Sequence, residues 1–454
     1  MRGAVAAMPL IVALGCDGVA QAIATGDGGS GAADTDGGSS DGDRTETDRD
    51  GDGVEASLDC NDHHALVYPD APEVFDGFDN DCDGSIDEDG ANTPMFAGYG
   101  SGAVGGAGGA VVRVTTLADT GPGSLREAIA GATGSTIIEF DVGGEIVLES
   151  ELRLRPFMTI HGASAPAPGI TLRAAAPDVR VLIPGTQEVI ITHLRLLGTH
   201  EPGSEPSALT PALIVDGDTA PDNEVRQIVL DHLTLSRTTG GGPDVWGEAR
   251  DITISYCLVV EAWSGTTVSY IGAGFTEQRI SLHHNVWVDN QRHSPQLRGQ
   301  VRDLDFVNNI VVNWGGVASE DAMGLWVRAE ANEASVDANI IANHYASQRR
   351  PEWALVYGDV PGPMDAGGGP PTPAAQGDVV AAPGLGALWV ADNRLPPETV
   401  DRFSTVDAPL DVPDAAAVPR WPAEELALAT LPWAGAHHTT PAEQAHKDTA
   451  AASF

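Results

Sequence analysis

Lysine is almost missing from this chain: Lys447 is the only one among 454 residues. The 24 basic side chains face 65 Asp and Glu, which sets the formal net charge at −41 and the pI near 4.3. Nucleic-acid binding through a basic face needs clustered Lys and Arg, so that class is excluded. Aromatic residues are scarce at 5%, whereas Gly (54) and Pro (31) are abundant. That balance argues against a helical bundle and for a turn-rich β architecture. No apolar run reaches the ~20 residues of a membrane-spanning helix. A chain that is 42% hydrophobic can still bury a core. Its length suits one large domain with appendages, or two to three ordinary ones. So acidic a surface repels itself and suits a cation-rich medium, and a monomer is expected.

Residues 1–22 place one Arg ahead of an apolar run of about a dozen residues, the pattern of a secretory signal. Ala13-Leu14-Gly15-Cys16 resembles a bacterial lipobox, which would make Cys16 a lipid anchor to an envelope membrane; cleavage after Ala20-Gln21-Ala22 is the alternative. Residues 23–46 hold almost nothing apolar and read as a disordered tether. Export favours a disulfide between Cys60 and Cys82, which stand in similar Asp-rich contexts. Cys257 lies in an apolar β-like run and reads as a buried thiol.

The middle of the chain repeats. Ile228–Leu235, Ile252–Val259, Ile280–Trp287, Leu304–Val311 and Ser335–Ile341 each alternate apolar and polar, break at a polar pair and resume. Taking His232, Cys257, Asn285, Asn309 and Asn339 as equivalent gives a period in the twenties, the mark of a β-solenoid. A single strand cannot bury its inward face, but stacked coils can. The recurring Asn fits an amide ladder at an interior bend. The expected fold is all-β, with the solenoid over 98–345. An Asp-rich module occupies 47–90, and a Pro/Ala-rich strap runs over 346–454.

Several segments resemble bacterial pectate lyases of polysaccharide lyase family 1. They are the Gly-rich opening from Gly98 through Arg126-Glu127-Ala128-Ile129, Ile137–Ile146, Thr159–Ala163, Leu230–Ser236 and His283-His284-Asn285-Val286-Trp287. The resemblance implies a right-handed parallel β-helix acting on a uronic-acid polysaccharide by β-elimination. It places the catalytic base in an Arg-x-Pro-x-x-Arg stretch, which here reads Arg292-His293-Ser294-Pro295-Gln296-Leu297-Arg298. Aligned on Pro295, the base position is His293. Arg292 falls one residue early, and Arg298 matches the second arginine. Histidine is a competent base near neutral pH, and an arginine can pair with a uronate carboxylate. The family's calcium carboxylates are replaced by Pro211-Ala212-Leu213 and Gly240-Gly241, with Asp244 the nearest acid. Two readings stay open: a lyase with a changed base, or a non-catalytic cell-surface glycan-binding protein. Arg126 is expected in the N-terminal cap. His232, His283 and His284 are expected in the ladder or core.

Asp48-x-Asp50-x-Asp52-Gly53 closing at Asp59 has the spacing of a twelve-residue calcium loop. A second copy begins Asp79-x-Asp81-x-Asp83-Gly84, with Asp87 as a further ligand. The segment resembles the Asp/Cys metal-binding repeat of secreted myxobacterial proteins, which is similar to thrombospondin type-3 calcium repeats. Ca2+ is therefore the expected cofactor of this module, with folding coupled to its binding.

Overall fold

The computed structural model of the chain describes residues 48–88, 93–217, 224–270, 278–299, 301–316, 322–328, 336–357, 387–397, 399 and 418–454. The signal pattern, Cys16 and the tether lie outside these residues.

The chain winds into a right-handed, all-parallel β-helix of about seven turns. Among the described residues its strands form one ten-stranded sheet (sheet I) and two eight-stranded sheets (II and III). Each coil visits them in that order. One coil runs through Val225–Asp231, Thr234–Ser236 and Asp244–Gly247, then re-enters sheet I at Ala249–Ser255. Like residues stack on like. Ile228, Ile252, Ile280 and Leu304 are successive partners in one file, and Leu230, Ile254, Leu282 and Phe306 in the next. All eight are buried, so each coil covers the inward face that its neighbour could not bury alone. Strands continue past residue 345, through Leu355–Tyr357 to Leu388–Ala391.

The corner between sheets I and II turns through one left-handed residue per coil. His193, His232, Tyr256, His284 and Asn308 occupy it with φ between 49° and 56°. Bulky residues seldom adopt this left-handed conformation, so the surroundings must hold it. From Tyr256 onward the next residue in each coil does so. The backbone N–H groups of Cys257, Asn285, Asn309 and Asn343 donate to the side-chain oxygens of Asn285, Asn309, Asn343 and Asn393, at 2.8–3.0 Å. Each ladder amide also donates to a carbonyl of the preceding coil, as Asn309 does to Leu282 at 2.9 Å. The structure corrects the sequence register. His232 precedes the ladder position by one residue, and Asn339 sits in the strand Ala338–Ile341, donating to Asp305. A coil of changed length hides this, because Asn339 and Asn343 offer the same local pattern.

Both flanks of the helix are covered. The Gly-rich segment crosses the outer face of sheet I, where Gly100 N–H donates to Thr253 Oγ1 and Tyr99 N–H to Ser281 Oγ. A Cβ at Gly100 would lie 2.6 Å from the Ile228 carbonyl oxygen, so only glycine fits. On sheet II, the outward residues Leu258, Val260, Val286, Val288, Ile310 and Val312 pack against Leu426, Leu431, Ala434 and Ala450 of the C-terminal segment. The helix Pro441–Ala451 starts at a Thr440/Glu443 capping box. Glu443 also pairs with buried Arg195 at 2.9 Å. Lys447 is buried there too, its ammonium donating to the Pro432 carbonyl at 3.1 Å, and burial lowers its pKa to about 8. At the other end Ser124 caps the helix Leu125–Gly131, and Arg126 pairs with Asp119.

Candidate functional site

Sheet III carries the candidate cleft. Val215, Val245, Val268, Leu297 and Val327 form its inward file. The next residues in register, Asp216, Trp246, Ser269 and Arg298, therefore form an outward row across successive strands. Trp246 is 38% exposed, one of few large apolar side chains on the surface among the described residues. His293 lies in the turn that enters the strand Gln296–Gly299, at φ 51° and just ahead of a cis Ser294–Pro295 bond. Its Nδ1 is 2.9 Å from Ser264 Oγ, in the equivalent turn one coil earlier, and 3.4 Å from Oγ1 of Thr267, which opens the strand after that turn. Backbone bonds from Gly265 to Arg292 and from Thr266 to His293, at 2.9 and 2.8 Å, tie the two turns together. The Arg292 guanidinium lies 5.8 Å from the centre of the Trp263 ring, and Trp326 flanks the His293 ring at 6.1 Å.

Asp244 does not face this cleft as an open ligand. It is fully buried, with one carboxylate oxygen accepting the Thr267 N–H at 2.8 Å. Burial raises its pKa well above the carboxylate range, which favours the neutral acid.

The second candidate centre is the acidic module, whose two halves are joined by the Cys60–Cys82 disulfide with Cα atoms 6.5 Å apart. In the first loop Asp48, Asp50 and Asp52 can bring one oxygen each to a common point. One oxygen each of Asp50, Asp52 and Asp59 is buried without a hydrogen-bond partner. Burial, with the charges of Asp52, Asp59 and Asp48, pushes the Asp50 carboxyl up to about 6. In the second loop two overlapping triads form, Glu73 with Asp79 and Asp81, and Asp81 with Asp83 and Glu88. Both Glu88 oxygens are buried and unpartnered. Burial raises Glu73 to about 7. Asp87 stands apart from these triads. Its Oδ1 accepts the N–H groups of Asp76 and Gly77, and its Oδ2 is 3.5 Å from His161 Nε2. Orphaned buried oxygens of this kind fit a bound cation, and an all-oxygen donor set suits a hard one.

A family profile for a metal-binding motif, Cu-binding_MopE, matches residues 59–88. A "Probable pectate lyase C" of Aspergillus terreus is 30% identical over 254 residues, covering 56% of this chain and 54% of the relative. One of the same name from Emericella nidulans is 30% identical over 223 residues, 49% of this chain and 48% of its own. The crystal structure of jun a 1, the major allergen from cedar pollen, superposes with a TM-score of 0.53 at 18% identity. It covers 75% of this chain and 92% of that one. The chain is a pectate-lyase-like β-helix preceded by a metal-binding motif. It spans about half the length of the curated relatives it matches.

Within this pectate-lyase-like helix, sequence reasoning reached His293, Arg292 and Arg298 but missed Ser264 and Thr267, whose hydroxyls meet the His293 ring. Nothing in a Ser-Gly-Thr-Thr stretch marks it as a neighbour of a histidine 29 residues on; only the coil repeat does. In the motif, Glu73 and Glu88 were missed as members of the acidic triads. Glu73 lies outside the loop spacing, and Glu88 adjoins the better-spaced Asp87.

Proposed function

We propose that this protein acts on a uronic-acid polysaccharide at the outer face of sheet III, cleaving it by β-elimination with His293 as base. The carrying observation is the His293 ring, held by Ser264 at the entry of the strand that bears Arg298. For Nε2 to accept a proton, Nδ1 must carry the hydrogen and donate it to a hydroxyl; Ser264 Oγ is placed to receive it. Nε2 then takes the proton from C5 of the uronate. The electron pair forms the C4–C5 double bond, the C4–O4 bond breaks, and the departing oxygen takes a proton from solvent. Arg298 pairs with the C6 carboxylate, which makes the C5 proton more acidic, and Arg292 adds positive charge beside the turn. Assaying polyuronates for the ultraviolet absorbance of unsaturated products tests this. The wild-type chain should release them and His293→Ala should lose on the order of 10²–10⁴-fold. A folded chain with no product from any polyuronate rejects the reading.

The buried, neutral-favoured Asp244 supports a second reading: a cell-surface protein that binds glycan without turnover. Glycan binding that survives His293→Ala, with no product from either chain, would select it.

The motif's cation in this reading is Ca2+. Asp48, Asp50, Asp52 and Asp59 would hold one ion and Glu73, Asp79, Asp81, Asp83 and Glu88 a second. Carboxylate oxygens suit Ca2+ better than copper, which favours imidazole and sulfur, and both nearby cysteines are in the disulfide. The ion supplies charge neutralisation that lets the module fold. The protein works as an exported monomer, tethered to an envelope membrane through Cys16. Finding Cys16→Ala still in the membrane fraction would overturn the anchor. Among the described residues no helix is long and apolar enough to cross a membrane.

A further inference from the structure

The second acidic loop does more than hold carboxylates together. Between its members Glu73 and Asp79 the chain leaves as a short excursion, Val74–Phe78, and returns. The base of that excursion is tied by acidic residues and their neighbours. Glu73 accepts the N–H groups of Asp81 and Asp87, at 2.9 and 3.1 Å, and Asn80 accepts that of Val74 at 3.0 Å. Asp87 accepts from Asp76 and Gly77.

Its tip is driven into the flank of the β-helix. Phe75 packs with Phe96, Ile190 and Val229 on the outer face of sheet I. Gly77 offers its carbonyl to His193 Nε2 at 2.9 Å. Phe78 meets His232 and Tyr256 edge-on, with ring centres 4.9 and 5.0 Å apart. Those rings belong to one continuous stack, His193–His232–Tyr256–His284, with centres 4.6, 5.0 and 4.9 Å apart. The stack is the left-handed corner itself, and its members are buried. At Gly77 the fit is closed: φ is 86°, and a Cβ would stand 2.4 Å from the Asp231 carboxylate and 2.9 Å from His232 Nδ1.

We propose that the second loop is a metal-operated clasp. A divalent cation joining Glu73 and Asp79 to Asp81, Asp83 and Glu88 pinches the base of Val74–Phe78 shut, and the closed excursion seals the histidine–tyrosine corner of the β-helix. Without the cation, the like charges of Glu73, Asp79, Asp81 and Glu88 repel, the base opens and the Phe75/Phe78 wedge leaves the corner. The proposal rests on the cation reading of the motif and extends it to the β-helix. Linkage makes the effect reciprocal: whatever loosens the wedge must weaken cation binding by the same factor.

The test uses the full chain with Ca2+ as probe. Calorimetry reads binding, and hydrogen exchange reads protection of residues 74–88 and of the corner around 228–260. Protection of both segments should rise at the Ca2+ concentrations where heat is released. Glu73→Gln should abolish that rise, whereas Asp50→Asn, in the first loop, should leave it. Gly77→Ala, which removes no carboxylate, should weaken binding at the second loop by at least about fivefold. Should that chain fail to fold, His193→Ala makes the same demand from the β-helix side. Heat of binding with unchanged exchange overturns the clasp and leaves the cation site standing. Unaltered Ca2+ affinity in a folded His193→Ala chain whose wedge is unprotected also overturns it. No heat at all overturns both the site and the clasp.

Discussion

The ring of His193 donates from Nε2 to the carbonyl oxygen of Gly77 at 2.9 Å, across 116 residues of sequence. This bond joins the acidic module to the sharp corner of the β-helix.

Phe78 is the largest side chain the module places against that corner, packing with Val67 and Tyr256 and ringed by His64, His232 and Trp433. Phe78→Ala should cost about 3–5 kcal/mol in the module's unfolding transition, because little nearby can collapse into the space. Denaturant unfolding of the Ca2+-loaded chain reads the loss. A cost below about 1 kcal/mol would show that the wedge is not packed as described.

Acid should attack the same corner. His283 is held down to about 4 and His284 well below its ordinary value, in both cases chiefly by burial. A folded pKa below the unfolded 6.5 means stability that is complete above pH 6.5 and lost as pH falls toward about 4. His283 contributes up to about 1.4 kcal/mol per pH unit over that window, and His284 acts in the same direction. Denaturant midpoints measured across it should drop steadily, and His284→Asn should flatten the slope.

The asparagine ladder predicts unequal costs along its length. Asn309 is wholly buried and accepts from both the backbone and the amide of Asn285, at 2.9 and 3.1 Å, while donating to Leu282. Asn309→Leu strands the Asn285 N–H and the Leu282 carbonyl on the preceding coil, a loss of about 1–3 kcal/mol for each group. Asn393, at the ladder's end and partly exposed, should cost less on substitution. Thermal unfolding of the two variants gives the comparison, and equal losses would contradict the ladder account.

Arg195 and Glu443 are both buried, and the guanidinium also donates to the carbonyls of Pro168 and His437 at 2.9 and 2.8 Å. Glu443→Ala leaves that charge uncompensated and should cost about 3–5 kcal/mol. The C-terminal segment should then become protease-sensitive before the β-helix unfolds. Simultaneous cleavage of both would mean that the pair does not fasten the strap.

On the proposed lyase reading, Ser264→Ala should slow elimination while glycan binding persists, because it removes the 2.9 Å partner of His293 Nδ1, keeps the 3.4 Å Thr267 contact and leaves Arg298 in place. The expected signature is a fall in kcat with KM little changed and a shifted pH profile. A loss confined to KM would assign Ser264 to binding instead.

The sequence by itself determined the β-helix, because period-two alternation, β-branched strands and the coil repeat all demand stacked coils. It also located the acidic loops and the His293 stretch, since those signals are local spacings. The register of the asparagine ladder was out of its reach: Asn339 and Asn343 look alike until neighbouring backbones pair. So was the placement of two acids: Glu73 gathers with Asp79 and Asp81, while Asp87 accepts from the Asp76 and Gly77 backbone beside His161. The tertiary structure decided that Asp244 is buried rather than open, and that two hydroxyls a coil away meet the His293 ring. It also used the lone Lys447 inside the C-terminal strap. In a solenoid the residues that touch across coils lie about one repeat apart, so contacts that tune a site are set by coil length, which local pattern does not encode.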